Sequence, residues 1–150
     1  MSPVISISGA YLRRIESLAA SAFPRECCGL LMGMRTLQGW RVLAIEESEN
    51  VAPDDRNDRF EIDPRLLLRV QKAARAGGPK MVGLYHSHPN GAAAPSQTDL
   101  DNAWQTGMIW LITAVDGAQV VSRAFLREET GFAPALLQMM ETGNERQFHQ

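Results

Sequence analysis

Strand-like and helix-like segments alternate along the chain, and this alternation most constrains the fold. Apolar runs bounded by turn residues predict strands, and apolar residues at helical spacing predict helices. The predicted strands cover residues 4–8, 27–34, 40–47, 80–86, 108–115 and 119–127, and the predicted helices cover residues 11–23, 64–76 and 96–104. Because hairpins occur beside the strand–helix alternation, we expect an α/β (α+β) fold with a mixed β-sheet flanked by helices.

The length, charge and cysteine content of the chain indicate one domain and limit its expected partners and location. With 150 residues and no internal repeat, we expect a single domain over residues 1–143 and a flexible polar tail over 144–150. A net charge of −2 disfavours a nucleic-acid partner. No apolar run reaches the ~20 residues that span a membrane, so we expect no membrane partner. The only cysteines, Cys27 and Cys28, are adjacent and rarely pair, which favours a cytoplasmic protein. The sequence gives no prediction of the oligomeric state.

Two histidines lie two residues apart at the end of a predicted buried strand. Side chains at this spacing point to one face of a strand, so His86 and His88 can converge on one metal ion. An isolated pair of this kind on a strand is more often two ordinary histidines than a pair of metal ligands. The chain contains three histidines, of which only His149 lies outside this pair, and this concentration favours a ligand role.

An acid follows at a position that can complete a ligand set. If Ser96 caps the predicted helix, Asp99 lies in the first helical turn and its carboxylate can turn back towards His86 and His88. Two imidazoles and one carboxylate leave the fourth position of a tetrahedral Zn²⁺ open for water, which is typical of catalytic sites. Ser96 has two possible roles, the helix cap or a donor to a substrate carbonyl oxygen.

Hydrolysis also needs a base, and Glu26 is the best candidate in the sequence. It lies between Pro24 and the buried strand, where a charged residue is either solvated at the rim or functional.

Cys28 has three possible roles: core packing, a redox-sensitive thiol or a fourth zinc ligand, of which packing is the commonest. Two other zinc enzyme classes are disfavoured, because the deaminase motifs His-x-Glu and Pro-Cys-x-x-Cys and the thermolysin motif His-Glu-x-x-His are absent.

Together these residues resemble the JAMM (MPN+) family of zinc metallopeptidases. That signature combines an upstream glutamate, then His-Ser/Thr-His-Pro, then Pro-Ser-x-x-Asp, with seven residues between the second histidine and the serine. Here the matching segments are Glu26, His86-Ser87-His88-Pro89 and Pro95-Ser96-Gln97-Thr98-Asp99. The flanking segments, 24–31, 59–64 and 83–85, are similar to those of compact prokaryotic members.

The resemblance implies an MPN/JAMM fold and one zinc ion held by His86, His88 and Asp99. It makes Glu26 the general acid and base, and Ser96 a residue that helps to hold the oxyanion. It also implies cleavage of a peptide or isopeptide bond after the C-terminal Gly-Gly of a ubiquitin-like or sulfur-carrier protein. The alternative is a non-catalytic MPN-type scaffold that binds proteins, although such scaffolds typically lose zinc ligands and this chain keeps them all.

Overall fold

A computed structural model of the chain describes residues 2–53, 57–89, 91–103 and 105–140. The predicted tail over 144–150 lies outside the described residues. In chain order the elements are β1 (Val4–Ser8), α1 (Gly9–Ala22), β2 (Cys28–Arg35), β3 (Gly39–Ser48), α2 (Pro64–Arg75), β4 (Lys80–His88), α3 (Gln97–Asn102), β5 (Ile109–Asp116), β6 (Gln119–Glu128) and β7 (Gly131–Met140). None of the helices in the described residues has the length and hydropathy needed to span a bilayer.

The strands form one mixed sheet that closes into a barrel in the order β1-β3-β2-β4-β5-β6-β7. β1 runs parallel to β3 and to β7, and β4 runs parallel to β5, whereas the remaining neighbours are antiparallel. The expected mixed sheet with flanking helices is therefore confirmed. Closure adds a feature that the sequence pattern did not predict, because it depends on the pairing of β1 with β7 at opposite ends of the chain.

The last strand, β7, has no counterpart among the predicted elements. It contains Pro134, which cannot donate a backbone hydrogen bond and therefore disfavours a strand assignment. In the structure Pro134 pairs with Phe125 of β6, whereas the pairing of β7 with β1 begins only at Leu136. Pro134 thus lies where β7 has one neighbouring strand, so its missing N–H leaves no ladder bond unmade.

Two helices cover opposite faces of the sheet at β2. Leu31 packs in a core cluster with Ile15 of α1, and its neighbour Leu30 packs with Leu66 of α2. Both helices begin at side-chain caps, Ser8 for α1 and Asp63 for α2. Because its side chains pack alternately against the two helices, the buried part of β2, residues 28–33, is apolar.

The close packing of β2 on β4 predicts that Gly29→Ala destabilises the protein. A Cβ at position 29 would overlap the ring of Tyr85, which is fully buried and cannot move aside. Overpacking of this kind costs about 1–3 kcal/mol of unfolding free energy. Chemical denaturation of Gly29→Ala and of the control Gly9→Ala checks this, because the new Cβ at position 9 meets the flexible end of Arg13. Equal stability of the two variants would contradict the packing described.

Candidate metal centre

The end of β4 brings the two histidines of the sequence motif together. β4 lies between β2 and β5, and this central position buries both side chains, with His86 0% and His88 8% exposed. Their Nε2 atoms are 3.0 Å apart, as the spacing of two residues along a strand predicts.

The start of α3 brings the acid to the same place. Ser96 caps the helix by accepting a hydrogen bond from the Asp99 N–H at 3.0 Å, and the Ser96 N–H donates to the Asp99 carboxylate, also at 3.0 Å. This capping box turns the Asp99 side chain back past the helix start. Its carboxylate oxygens lie 3.1 Å from His86 Nε2 and 2.9 Å from His88 Nε2.

The hydrogen bonds of His88 call for a proton or a metal cation between these groups. His88 Nδ1 lies 2.7 Å from the carbonyl oxygen of Ala92, which can only accept, so Nδ1 carries the hydrogen. In the neutral ring Nε2 then presents a lone pair to the Asp99 oxygen 2.9 Å away. Two acceptors that face each other repel, and a proton or a metal cation between them removes the repulsion.

The spacing of the donor atoms also suits a small cation. Three donors at zinc bond lengths of about 2.0–2.1 Å lie about 3.3 Å apart in a tetrahedron. The observed separations of 2.9–3.1 Å between the donors of His86, His88 and Asp99 are close to that value. These residues therefore fit a tetrahedral metal ion with a fourth position left open.

Charge in this group favours cation binding. Burial opposes ionisation of Asp99, but hydrogen bonds from the two imidazoles, when a proton lies between them and the carboxylate, and from the Ser96 N–H keep its pKa well below the usual range. Burial lowers the pKa of His86. For His88 burial acts in the same direction, but the bonds to Asp99 and Ala92 outweigh it and raise the pKa. Asp99 thus stays ionised in a buried place and attracts a cation.

Glu26 faces the same group from the segment between α1 and β2. Its carboxylate and the ring nitrogens of His86 and His88 lie within 4.8 Å of one another, so these three residues could also hold a metal. Asp99 is the acid closer to the two imidazoles, and Glu26 lies beside this group. Glu26 is 3% exposed, and within the described residues its Oε1 is buried without a hydrogen-bond partner.

Burial raises the pKa of Glu26 to about 8. A positive charge on protonated His88 would oppose this rise, and the negative charges of Asp99 and Asp58 add to it. A bound cation would lower the pKa again. A carboxyl group whose pKa lies near neutrality can both accept and donate a proton, as general acid–base catalysis requires.

Ser96 lies at the rim of a cavity of about 260 Å³ that Glu26 and His88 also line. The hydroxyl oxygen of Ser96 is used as the helix cap, but a hydroxyl has one hydrogen of its own to donate. The two roles that the sequence left open are therefore compatible.

Two aromatic side chains beside His86 were not singled out by sequence reasoning. The ring of Phe60 stacks on His86 with centroids 4.3 Å apart, and Trp110 meets His86 edge-on at 5.3 Å. They exclude water from the imidazole and fix its orientation. The only sequence signal for Phe60 was its place in the flanking segment 59–64, whereas Trp110 resembled ordinary core residues of a strand.

The thiol of Cys28 lies in a packed environment. Cys28 is 2% exposed and belongs to a core cluster with Leu30 and Leu66. Its single S–H faces the carbonyl oxygens of Glu49 and Glu61 as possible acceptors, and burial raises the pKa of the thiol to about 12. Such a thiol is a poor nucleophile and a poor ligand at neutral pH, so the packing role fits best.

Comparison with known proteins decides the family. Residues 9–128 match the family of prokaryotic homologs of the JAB domain. The chain belongs to this family. The match supports the predicted resemblance to compact prokaryotic members of the JAMM (MPN+) family. It therefore also supports an enzyme of the hydrolase class.

Three relatives illustrate the likeness of this JAB-domain chain to known proteins. A desampylase from Haloferax volcanii is 36% identical over 66% of this chain and 69% of its own length. A probable TtuB-protein conjugate cleaving protease from Thermus thermophilus is 36% identical over 71% of this chain, and this match spans 64% of that relative's length. A solution structure from Desulfitobacterium hafniense covers 91% of this chain and 93% of its own, with 29% identity and a TM-score of 0.79.

A more distant structure supports the fold alone. A JAB1/MPN domain protein from Archaeoglobus fulgidus is 21% identical, covers 89% of this chain and 98% of its own, and has a TM-score of 0.56. The expected MPN/JAMM fold is thus confirmed by structures as well as by the family match.

Proposed function

We propose that this chain is a zinc-dependent peptidase or isopeptidase that cleaves after the C-terminal Gly-Gly of a ubiquitin-like or sulfur-carrier protein. The observation that carries the proposal is the convergence of His86, His88 and Asp99 within 3.2 Å, with the buried Glu26 carboxylate beside them. The names of the relatives support the substrate class, since one is a desampylase and another a probable protease of TtuB-protein conjugates.

In this proposal His86, His88 and Asp99 hold the zinc ion. When bound, zinc supplies a Lewis acid that polarises a carbonyl oxygen and acidifies a water molecule. The Ala92 carbonyl keeps His88 in the tautomer whose Nε2 lone pair is available. The stacked Phe60 ring holds His86 in place.

Glu26 moves the proton in this proposal. Its carboxylate accepts a proton from the attacking water, whose oxygen adds to the carbonyl carbon of the second glycine. It then donates that proton to the leaving amine nitrogen as the C–N bond breaks. Ser96 donates its hydroxyl hydrogen to the carbonyl oxygen, on which negative charge develops.

The shape of the cavity supports a glycine-rich tail. Besides Glu26 and His88, the cavity is lined by Pro89, Ala92, Ala94 and Pro95, and its volume is about 260 Å³. A tail that ends in two glycines can enter a cavity of this size because it carries no side chains there. We also propose a cytoplasmic location and no nucleic-acid or membrane partner, which remain predictions from the sequence.

Substitution of Ser96 tests its proposed donor role apart from its cap role. Ser96→Gly is expected to cost only a few tenths of a kcal/mol of unfolding free energy, because glycine caps helices well, whereas Ser96→Ala is expected to cost about 1 kcal/mol. Both variants lack the hydroxyl, so we expect kcat to fall about a hundredfold in each. Thermal unfolding and steady-state kinetics check this. Wild-type kcat in Ser96→Gly would show that Ser96 is a cap only.

The proposed function is tested on a ubiquitin-like protein that carries a short extension after its Gly-Gly. Mass spectrometry is expected to show cleavage directly after the second glycine, loss of cleavage with a chelator, and recovery when Zn²⁺ is added back. A matched substrate with Val-Val in place of Gly-Gly is expected to stay intact. An intact Gly-Gly substrate would overturn the proposal and favour the non-catalytic scaffold.

A further inference from the structure

Asn50, just beyond the end of β3, uses the full hydrogen-bonding capacity of its side chain. Its Nδ2 donates to the carbonyl oxygens of Glu26 at 2.9 Å and Arg59 at 3.3 Å. Its Oδ1 accepts from the backbone N–H groups of Ala52 and Glu61, both at 3.0 Å. A carboxamide has two donor hydrogens and two acceptor lone pairs, so each is matched by one backbone group.

One of these contacts holds the peptide unit that carries Glu26. The carbonyl oxygen of Glu26 and the N–H of Cys27 belong to the same peptide unit. The carbonyl accepts from Asn50, and the N–H donates to Ser87 Oγ at 2.8 Å. Ser87 lies between the two histidines on β4. The peptide after Glu26 is thus fixed on one side by the strand of the histidines and on the other by Asn50.

Two other contacts of Asn50 hold the residues on either side of Phe60. Asn50 bonds to the carbonyl of Arg59 and to the N–H of Glu61, so the backbone around Phe60 is held from both sides. The ring of Phe60 stacks on His86 with an interplanar angle of 21°. A single side chain therefore links the backbone of Glu26 to the ring that packs on His86.

We propose that Asn50 is a positioning residue that sets the distance between the Glu26 carboxylate and the histidine pair. The inference rests on the proposed function, in which Glu26 moves the proton. Among the described residues Oε1 of the Glu26 carboxylate has no hydrogen-bond partner, so the backbone and the packing around Glu26 help to set its position. A shift of about 1 Å in such a group can lower a rate about a hundredfold.

Two variants distinguish the donor role of the Asn50 side chain from its acceptor role. Asn50→Asp keeps the acceptors for Ala52 and Glu61 and lacks the donors for Glu26 and Arg59. Asn50→Ala lacks all four contacts. If Asn50 acts by holding Glu26, Asn50→Asp alone is enough to impair the reaction.

The test uses the zinc-loaded full chain and the Gly-Gly fusion substrate. We expect both Asn50 variants to lower kcat about tenfold to a hundredfold, with KM changed less than about threefold and zinc content unchanged. Hydrogen exchange measured by NMR is expected to speed up at the Cys27 amide in both variants, and at the Ala52 and Glu61 amides only in Asn50→Ala. The control Ser122→Ala removes structural bonds to Thr113 and Glu16 and is expected to lower stability without changing kcat.

A double variant distinguishes positioning from general damage. The substitution Glu26→Asp shortens the base and already displaces its carboxylate. In this background Asn50→Asp is expected to lower kcat by less than about twofold, because both substitutions act on the position of the same carboxylate. A further loss as large as in the wild-type background would overturn the inference, and so would wild-type kcat in Asn50→Asp alone. Absence of cleavage by the wild-type protein would instead overturn the proposed function, and the inference with it.

Discussion

Replacing Asp99 with asparagine is expected to abolish zinc binding and hydrolysis together. The asparagine side chain would keep the size of the original one but lose the negative charge that lies 2.9–3.1 Å from the two imidazole nitrogens. Because a metal supplies several kcal/mol of transition-state stabilisation, its loss is expected to lower kcat/KM about a thousandfold or more. His86→Ala is expected to have the same effect on both measurements.

The metal content of the purified variants and their kinetics check this prediction. Asp101→Asn is the matched control, since Asp101 lies on the same short helix and is exposed. It is expected to bind one zinc ion and to retain wild-type kinetics. An Asp99→Asn protein that binds zinc with wild-type affinity would exclude Asp99 as a ligand and would favour the alternative group of Glu26, His86 and His88.

Replacing Glu26 with glutamine is expected to separate metal binding from turnover. The glutamine side chain would fill the same buried space but could not accept the proton of the attacking water. We expect kcat to fall about a hundredfold to ten-thousandfold, with one zinc ion retained. The binding of an uncleaved Gly-Gly fusion, measured by calorimetry, is expected to stay near its wild-type strength.

The control for Glu26→Gln is Glu49→Gln, which alters an exposed carboxylate directly after the end of β3. This variant is expected to keep wild-type kinetics. If Glu26→Gln retained normal turnover, the proposed acid–base role would be wrong. If it lost its zinc, Glu26 would have to be a ligand and another group would have to move the proton.

Local signals predicted much of the fold and part of the site. The Asp63-Pro64 start of α2, the Ser96 cap of α3 and the apolar pattern of β2 depend on neighbouring residues, and the structure contains all three elements. The spacing of His86 and His88 is equally local, because a strand places alternate side chains on one face.

Without the family resemblance, the sequence could not predict which residues far apart along the chain come together in the fold. Glu26 reaches the histidines because β2 pairs with β4 in a register that sets Cys28 opposite His86, and nothing near residue 26 encodes that register. The role of Asn50 is hidden for a similar reason, since its partners at 26, 59 and 61 are distant along the chain. β7 was not among the predicted strands, and its Pro134 is tolerated because the second neighbouring strand is not yet paired at that position.

Anomalous diffraction at the zinc edge, from crystals of the zinc-loaded wild-type protein, is the sharpest test of the proposed ligand set. We expect one strong peak about 2.0–2.2 Å from the Nε2 atoms of His86 and His88 and from an Asp99 carboxylate oxygen. We also expect the Glu26 carboxylate to lie outside bonding distance of the peak. A peak bonded to Glu26 instead of Asp99, or no peak at the end of β4, would contradict the proposed metal centre.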